Sequence, residues 1–270
     1  MALERVAEQG LVLLGCGKMG SALLAGWLAA GLPAASVWVI EPNPSGWLQG
    51  LGVHLNAGLP RQPAVAILAV KPQMMGAALP ALQALGNGQT LFISIAAGTA
   101  IATFESSLGA RTPIVRAMPN TPAMVGRGIT GLCSNAHASA DDLALASALM
   151  GAVGAVVLLE GEHQMDAVTA VSGSGPAYVF YLIEALAQAG VAQGLPPEVA
   201  MQLARATVCG AGELAHQAGE TAAQLRVNVT SPGGTTAAAL AHLMDASTGL
   251  APLMARAVGA AAARGRELAQ

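Results

Sequence analysis

Short apolar runs bounded by glycine, proline or asparagine mark the first half of the chain: Leu11–Leu14, Val37–Ile40, Val65–Val70, Leu91–Ile95 and Ile114–Ala117. Runs of this length predict strands buried on both faces of a parallel sheet. Between them Ser21–Ala30, Met74–Leu85 and Ala100–Leu108 have helical length and spacing, so the pattern predicts successive βαβ units. Gly128–Cys133 and Ala155–Leu159 read as further strands around a helix at Ala140–Met150. The expected fold class is α/β, beginning with a Rossmann-like, doubly wound domain.

The rhythm changes near Glu162. Ala177–Ala192, Glu198–Ala218, Thr236–Met244 and Ala251–Leu268 are long, alanine-rich and helical in spacing, and no strand is evident among them. The predicted organisation is therefore a dinucleotide-binding domain over 1–161 and an all-helical domain over 162–270. These helices carry few charges on any face, and a helix that is apolar all round needs burial on more than one side. A domain of roughly a hundred residues cannot bury that much surface alone. An intertwined homodimer is the expected solution.

Charge and composition narrow the partners. A net charge of −3 and only 3% aromatic residues leave neither a counterion-releasing surface nor a stacking platform, which argues against nucleic acid. Cys16, Cys133 and Cys209 are widely spaced with no Cys-x-x-Cys pair, as in a reduced, cytoplasmic protein. Met19–Ile40 and Pro72–Phe104 run without a charge, but Gly31-Leu32-Pro33 and Gly86-Asn87-Gly88-Gln89-Thr90 break them, so no membrane span is expected. Glu4 and Glu8 stand where a signal peptide would be positive, so none is expected either. The chain has only two lysines, Lys18 and Lys71, which removes any catalytic lysine from the second half.

Gly15-Cys16-Gly17-Lys18-Met19-Gly20 places G-x-G-x-x-G directly after the first strand and at the opening of the first helix. Gly15 permits the tight turn, Gly17 lets a pyrophosphate approach the backbone, and Gly20 lets helix and strand pack closely. Glu41 ends the second strand, where an acid accepts the ribose hydroxyls of NAD, whereas Asn43 and Ser45 in the following loop could hydrogen-bond a phosphate. NADH and NADPH both stay open on these residues. Lys71 follows the Val65–Val70 strand, and Ala96-Ala97-Gly98 and Met118-Pro119-Asn120-Thr121-Pro122 follow the next two, all at the ligand-binding edge of such a sheet. Ser172-Gly173-Ser174-Gly175-Pro176 and Ser231-Pro232-Gly233-Gly234-Thr235-Thr236 each precede a helix, offering N–H groups and hydroxyls to a small carboxylate; either alone also reads as ordinary N-capping. Glu160, Glu162, His163 and Asp166 could be imagined as a metal cluster, but Glu162, His163 and Asp166 read as acids and a polar residue at a helix start, and no metal site is expected. G-x-S-x-G and Cys–His pairings are absent, which disfavours hydrolases.

Taken together, the glycine loop, Ala69-Val70-Lys71-Pro72, Met118–Pro122, Asp166–Tyr178 and Thr230–Thr236 resemble pyrroline-5-carboxylate reductase over nearly the whole chain. The resemblance implies reduction of 1-pyrroline-5-carboxylate to L-proline with NADPH or NADH. It implies cofactor contacts at Gly15, Cys16, Gly17, Lys18, Met19, Gly20, Asn43, Ser45, Asn56, Val70, Lys71, Ala97 and Asn228. It implies a substrate site at Glu162, Asn228, Thr235 and Thr236, with the Thr236 hydroxyl catalytic beside the ring nitrogen. Interlocked dimers, often assembled into decamers, are implied as well. Ala222 stands where the family often has proline, and Val227 where an aspartate often follows Leu-Arg. Two rivals share the layout: a non-catalytic NAD(P) sensor, and a β-hydroxyacid dehydrogenase, which would need the lysine that this second half lacks.

Overall fold

The computed structural model describes residues 2–268. Eight strands form one sheet: β1 (Leu11–Leu14), β2 (Val37–Ile40), β3 (His54–Leu55), β4 (Val65–Leu68), β5 (Leu91–Ser94), β6 (Ile114–Met118), β7 (Gly128–Ser134) and β8 (Gly154–Leu158). Their order is β3-β2-β1-β4-β5-β6-β7-β8, so the chain reverses its direction of travel across the sheet between β1 and β4. That switch point is where ligands bind in open α/β sheets. Alternate residues of β1, β4 and β5 feed two separate cores. Leu11, Leu13, Val65, Ile67, Leu91 and Ile93 join Leu23, Leu24, Trp27 and Leu149 on one face, while Val12, Leu14, Ala66, Leu68 and Phe92 join Leu79, Leu82 and Phe104 on the other. The period-two alternation with apolar residues on both sides is why these strands read as continuous hydrophobic runs.

The helices flanking the sheet are α1 (Ala2–Gln9), α2 (Lys18–Ala29), α3 (Gly46–Gln49), α4 (Met75–Ala78), α5 (Ile101–Leu108) and α6 (Ala140–Gly151). Three expectations need correction. The helix expected over Met74–Leu85 is α-helical only through α4 and then tightens to a 3-10 helix over Leu79–Leu85. Pro80 explains the change, because it offers no backbone N–H and crowds the preceding residue. The sheet is not parallel throughout, since β7 runs antiparallel to β6. The short connection between them, a 3-10 turn at Thr121–Val125, cannot carry the crossover that parallel pairing needs. Finally, α1 and the two-residue β3 have no counterpart among the expected elements.

Beyond β8 the described residues hold no strand. They form α7 (Met165–Val168), α8 (Gly175–Ala192), α9 (Pro197–Gln217), α10 (Ala222–Asn228), α11 (Thr235–Leu243) and α12 (Leu250–Leu268). The fold separates into two compact units: Ser174–Ala261, and the remainder of the described residues. This division falls later than the expected boundary after residue 161, with Met165 buried in one core of the sheet unit. Within the second unit α8 and α9 cross closely, burying Ala187, Ala200 and Ala204, with Gly190 facing Ala200. No helix among the described residues is long and apolar enough to cross a membrane.

Candidate active site

The three glycines of the first loop have separate physical roles. Gly15 has φ +89°, and a Cβ there would lie 2.8 Å from Val70 Cγ1 and 2.9 Å from the Ala69 carbonyl oxygen. A Cβ on Gly20 would lie 2.6 Å from the Gly15 carbonyl oxygen. Packing of the protein itself therefore requires both. At Gly17, by contrast, a Cβ would meet nothing within 4 Å. Gly17 is the N-cap of α2 and supplies no side-chain cap, so the first N–H groups of that helix face open space. A pyrophosphate fits this cradle, where the partial positive charge of the helix end and free donors coincide.

The loop leads into a cleft of about 370 Å³ at the carboxyl edge of the sheet. Gly17, Lys18 and Met19 form one wall, Val70, Lys71 and Ala97 another, and Met118 to Thr121 with Gly173 complete it. Six expected cofactor residues are thus brought together on one surface. Larger hollows, of about 810 and 820 Å³, lie against α9 and at the opposite edge of the sheet, away from every expected residue.

The other expected cofactor residues surround the end of β2. Glu41 accepts a hydrogen bond from the Cys16 N–H through Oε2 at 2.9 Å and from the Asn43 N–H through Oε1 at 3.0 Å. Asn56, at φ +50°, donates through Nδ2 to the Glu41 carbonyl and accepts the Glu41 N–H on Oδ1, both at 2.9 Å. Asn56 thereby extends the β2–β3 pairing by one side chain. Ser45 caps α3, its hydroxyl oxygen accepting from Leu48 N–H at 3.3 Å. Burial pushes the Cys16 thiol above its ordinary value, with the Ser21 hydroxyl partly offsetting this, so Cys16 shapes the loop as a neutral thiol.

Glu162 does not itself line the cleft and stands at the start of the segment leading to α7. Its Oε1 accepts from Arg116 Nη1 at 2.8 Å and from the Ile101 N–H at 2.9 Å, so one carboxylate neutralises a buried arginine and caps α5. Arg116 is 5% exposed. Opposite it on β7, burial pushes the Cys133 thiol up to about 11, Glu162 adding to the shift and Arg116 opposing it. Arg116 was not among the expected site residues, although an arginine inside the Ile114–Ala117 run is itself a signal that a partner acid is nearby. Asn120, known only as part of a proline-rich loop, is a second structural hinge-pin: it donates to the Ser172 carbonyl at 3.1 Å and accepts from Ile129 N–H at 2.9 Å. Ser172 belongs to a π-helical turn over Thr169–Gly173, a rare geometry that concentrates at functional sites.

The remaining expected residues lie in the second unit. Asn228 ends α10, accepting from Gln224 Nε2 at 2.8 Å and donating to Glu220 Oε1 at 2.9 Å. Thr235 and Thr236 form the first turn of α11 behind Gly234, which gives no side-chain cap. No group of three or more His, Cys, Asp or Glu residues able to hold a metal occurs among the described residues.

Residues 162–268 match the family described as pyrroline-5-carboxylate reductase dimerisation, and residues 10–98 match NADP oxidoreductase coenzyme F420-dependent. The pyrroline-5-carboxylate reductase of Pseudomonas aeruginosa is 40% identical, over 96% of this chain and 97% of that protein. This chain belongs to the pyrroline-5-carboxylate reductase family. The solved structure of the Coxiella burnetii reductase superposes with a TM-score of 0.91 at 35% identity, covering 97% of this chain and 99% of that one. The Plasmodium falciparum enzyme, solved with NADP bound, gives 0.81 at 31% identity over 97% and 98%. Both the sheet unit and the helical unit are therefore family features.

Proposed function

We propose that this chain reduces 1-pyrroline-5-carboxylate to L-proline with NADH or NADPH, the last step of proline synthesis. The observation that carries the reading is the open cradle at Gly17, continuous with Lys71 and Ala97 at the switch point, in a chain of this family. When bound, the reduced nicotinamide supplies the hydride. Gly15 to Gly20 hold the pyrophosphate, Asn43, Ser45 and Asn56 serve the adenosine end, and Val70, Lys71, Ala97 and Asn228 serve the remainder. The first-turn N–H groups of Thr235 and Thr236 receive the substrate carboxylate. The Thr236 hydroxyl passes a proton from solvent to the ring nitrogen, taking one up as it gives one away, so that one hydride and one proton turn C=N into CH–NH. Glu162 and Asn228 position the ring. A cyclic imine is already a good hydride acceptor once protonated, so orientation carries most of the catalysis, worth about 7–11 kcal/mol in well-aligned reactions. That accounts for a site with few titratable groups. The active species in this reading is a cytoplasmic homodimer built through residues 162–268 and further assembled as a decamer.

The direct test follows nucleotide oxidation with pyrroline-5-carboxylate as substrate. Turnover is expected, and Thr236→Ala is expected to lower kcat roughly a hundredfold with nucleotide Kd unchanged. Binding of nucleotide without turnover would leave a sensor instead. An undiminished rate in the variant would remove Thr236 from proton transfer.

A further inference from the structure

The acid at the end of β2 is fixed in place from four directions. Both carboxylate oxygens of Glu41 are held by backbone donors, Oε2 by Cys16 N–H and Oε1 by Asn43 N–H, at 2.9 and 3.0 Å. Its own N–H and carbonyl are held by the two ends of the Asn56 side chain, each at 2.9 Å. A carboxylate on a free side chain can swing aside to admit a phosphate. This one cannot do so without giving up the hydrogen bonds that shape the glycine loop and the turn after β2.

The groups beside this acid offer a phosphate hydrogen bonds but no positive charge. Asn43 gives its backbone N–H to Glu41, and Ser45 Oγ accepts from the Leu48 N–H while keeping its own proton to donate. No lysine or arginine occurs between Glu41 and Arg61. Glu41 takes part in none of the ion pairs among the described residues, which join Arg5 to Asp142, Arg116 to Glu162 and Arg264 to Glu267. A phosphomonoester carries about −1.5 to −2 charges at neutral pH. Against a pinned, uncompensated carboxylate that charge is repelled, whereas a ribose hydroxyl can donate to the remaining lone pairs of the same oxygens.

From this geometry we infer that Glu41 is the specificity-determining residue for the nucleotide, selecting NADH over NADPH. The inference rests on the reading of the Gly15–Gly20 loop as a dinucleotide cradle, and the test separates the two. Calorimetric titration of the full-length protein with each nucleotide is expected to give a Kd at least about tenfold tighter for NADH at low ionic strength. Added salt narrows the gap, because the discrimination is a like-charge repulsion. Glu41→Gln keeps the shape and one acceptor while removing the charge, and the ratio of the two Kd values is expected to fall to within about threefold. The ratio of kcat/KM values moves in parallel. Equal or tighter binding of NADPH by the unaltered protein overturns the inference and leaves the cradle standing. So does a salt-independent preference, which can be read without any variant, or a preference that survives in Glu41→Gln. Failure of both nucleotides to bind overturns the cradle itself.

Discussion

The sheet unit closes on itself, and the helical unit does not. Every residue of β1, β4 and β5 is buried, and two apolar layers seal the sheet from both sides. In Ser174–Ala261 the buried cluster is three alanines, while Phe180 is 59% and Tyr181 68% exposed within the single chain. Alanine-rich helices present little side-chain volume for one another, so a monomer cannot dehydrate their apolar faces. The contrast separates two sources of stability along one chain: internal packing for the sheet unit, and association with another copy for the helices that carry Thr235 and Thr236. It also fits the match of 162–268 to a dimerisation family.

The largest expected effect comes from attacking the open surface. Phe180→Glu on α8 is expected to weaken association by about 30-fold or more and to strip much of the helical signal contributed by the second unit, while nucleotide binding persists. Sedimentation with circular dichroism reads both; an assembly of unchanged mass would show that this face is not covered by a second copy. Next is an attack on the closed core. Trp27 is fully buried, with Nε1 donating to the Leu149 carbonyl at 2.8 Å, and Trp27→Ala is expected to cost about 3–5 kcal/mol in denaturant unfolding of the sheet unit. A loss near zero would mean that this core is far looser than its burial indicates.

A smaller effect sharpens the boundary between packing and function. Asn120→Ala leaves the Ser172 carbonyl and the Ile129 N–H without their partner, at about 1–3 kcal/mol, and frees the π-helical turn at the cleft. The expected signature is a raised KM for the imine larger than any change for the nucleotide; equal changes would reduce Asn120 to a purely structural brace. The smallest effect is electrostatic. The Asp245 carboxylate, after α11, accepts from the Ser247 hydroxyl, the N–H groups of Ser247 and Thr248 and the Thr248 hydroxyl, and these hold its carboxyl well below the ordinary value of 3.8. A depressed folded pKa stabilises above the unfolded value and loses that benefit as pH falls through the folded one. Asp245→Asn is therefore expected to lower Tm slightly at pH 7, with the difference vanishing in strong acid. A gap that persists there would trace to geometry instead of charge.

Much of the sheet was legible because strands buried on both faces leave uninterrupted apolar runs whose ends coincide with glycine and proline. The direction of β7 was not, since a run of apolar residues carries no sense of which way its neighbour points; only the shortness of the 119–127 connection decides it. Pro80 could have announced the 3-10 helix, but an apolar period of helical length masked it. At the site, Gly15 and Gly20 were readable because each answers a distinct steric demand, and Gly17 because it keeps the space before α2 open. Arg116 and Asn120 were not, because their importance lies in partners at Glu162 and Ser172, far along the chain. The roles of Asn43 and Ser45 were not separable in the sequence, because the bonds that orient them, Asn43 N–H to Glu41 and Leu48 N–H to Ser45, form only in the folded loop.

The sheet unit is not a continuous stretch of chain. From Ala262 onward α12 belongs with it, and Gly98, at φ +71°, has the Leu268 backbone in close approach. A chain made from its amino end lacks this strip until all of Ser174–Ala261 has been synthesised. The nascent sheet unit therefore stays incomplete at one margin while the helical segment is made.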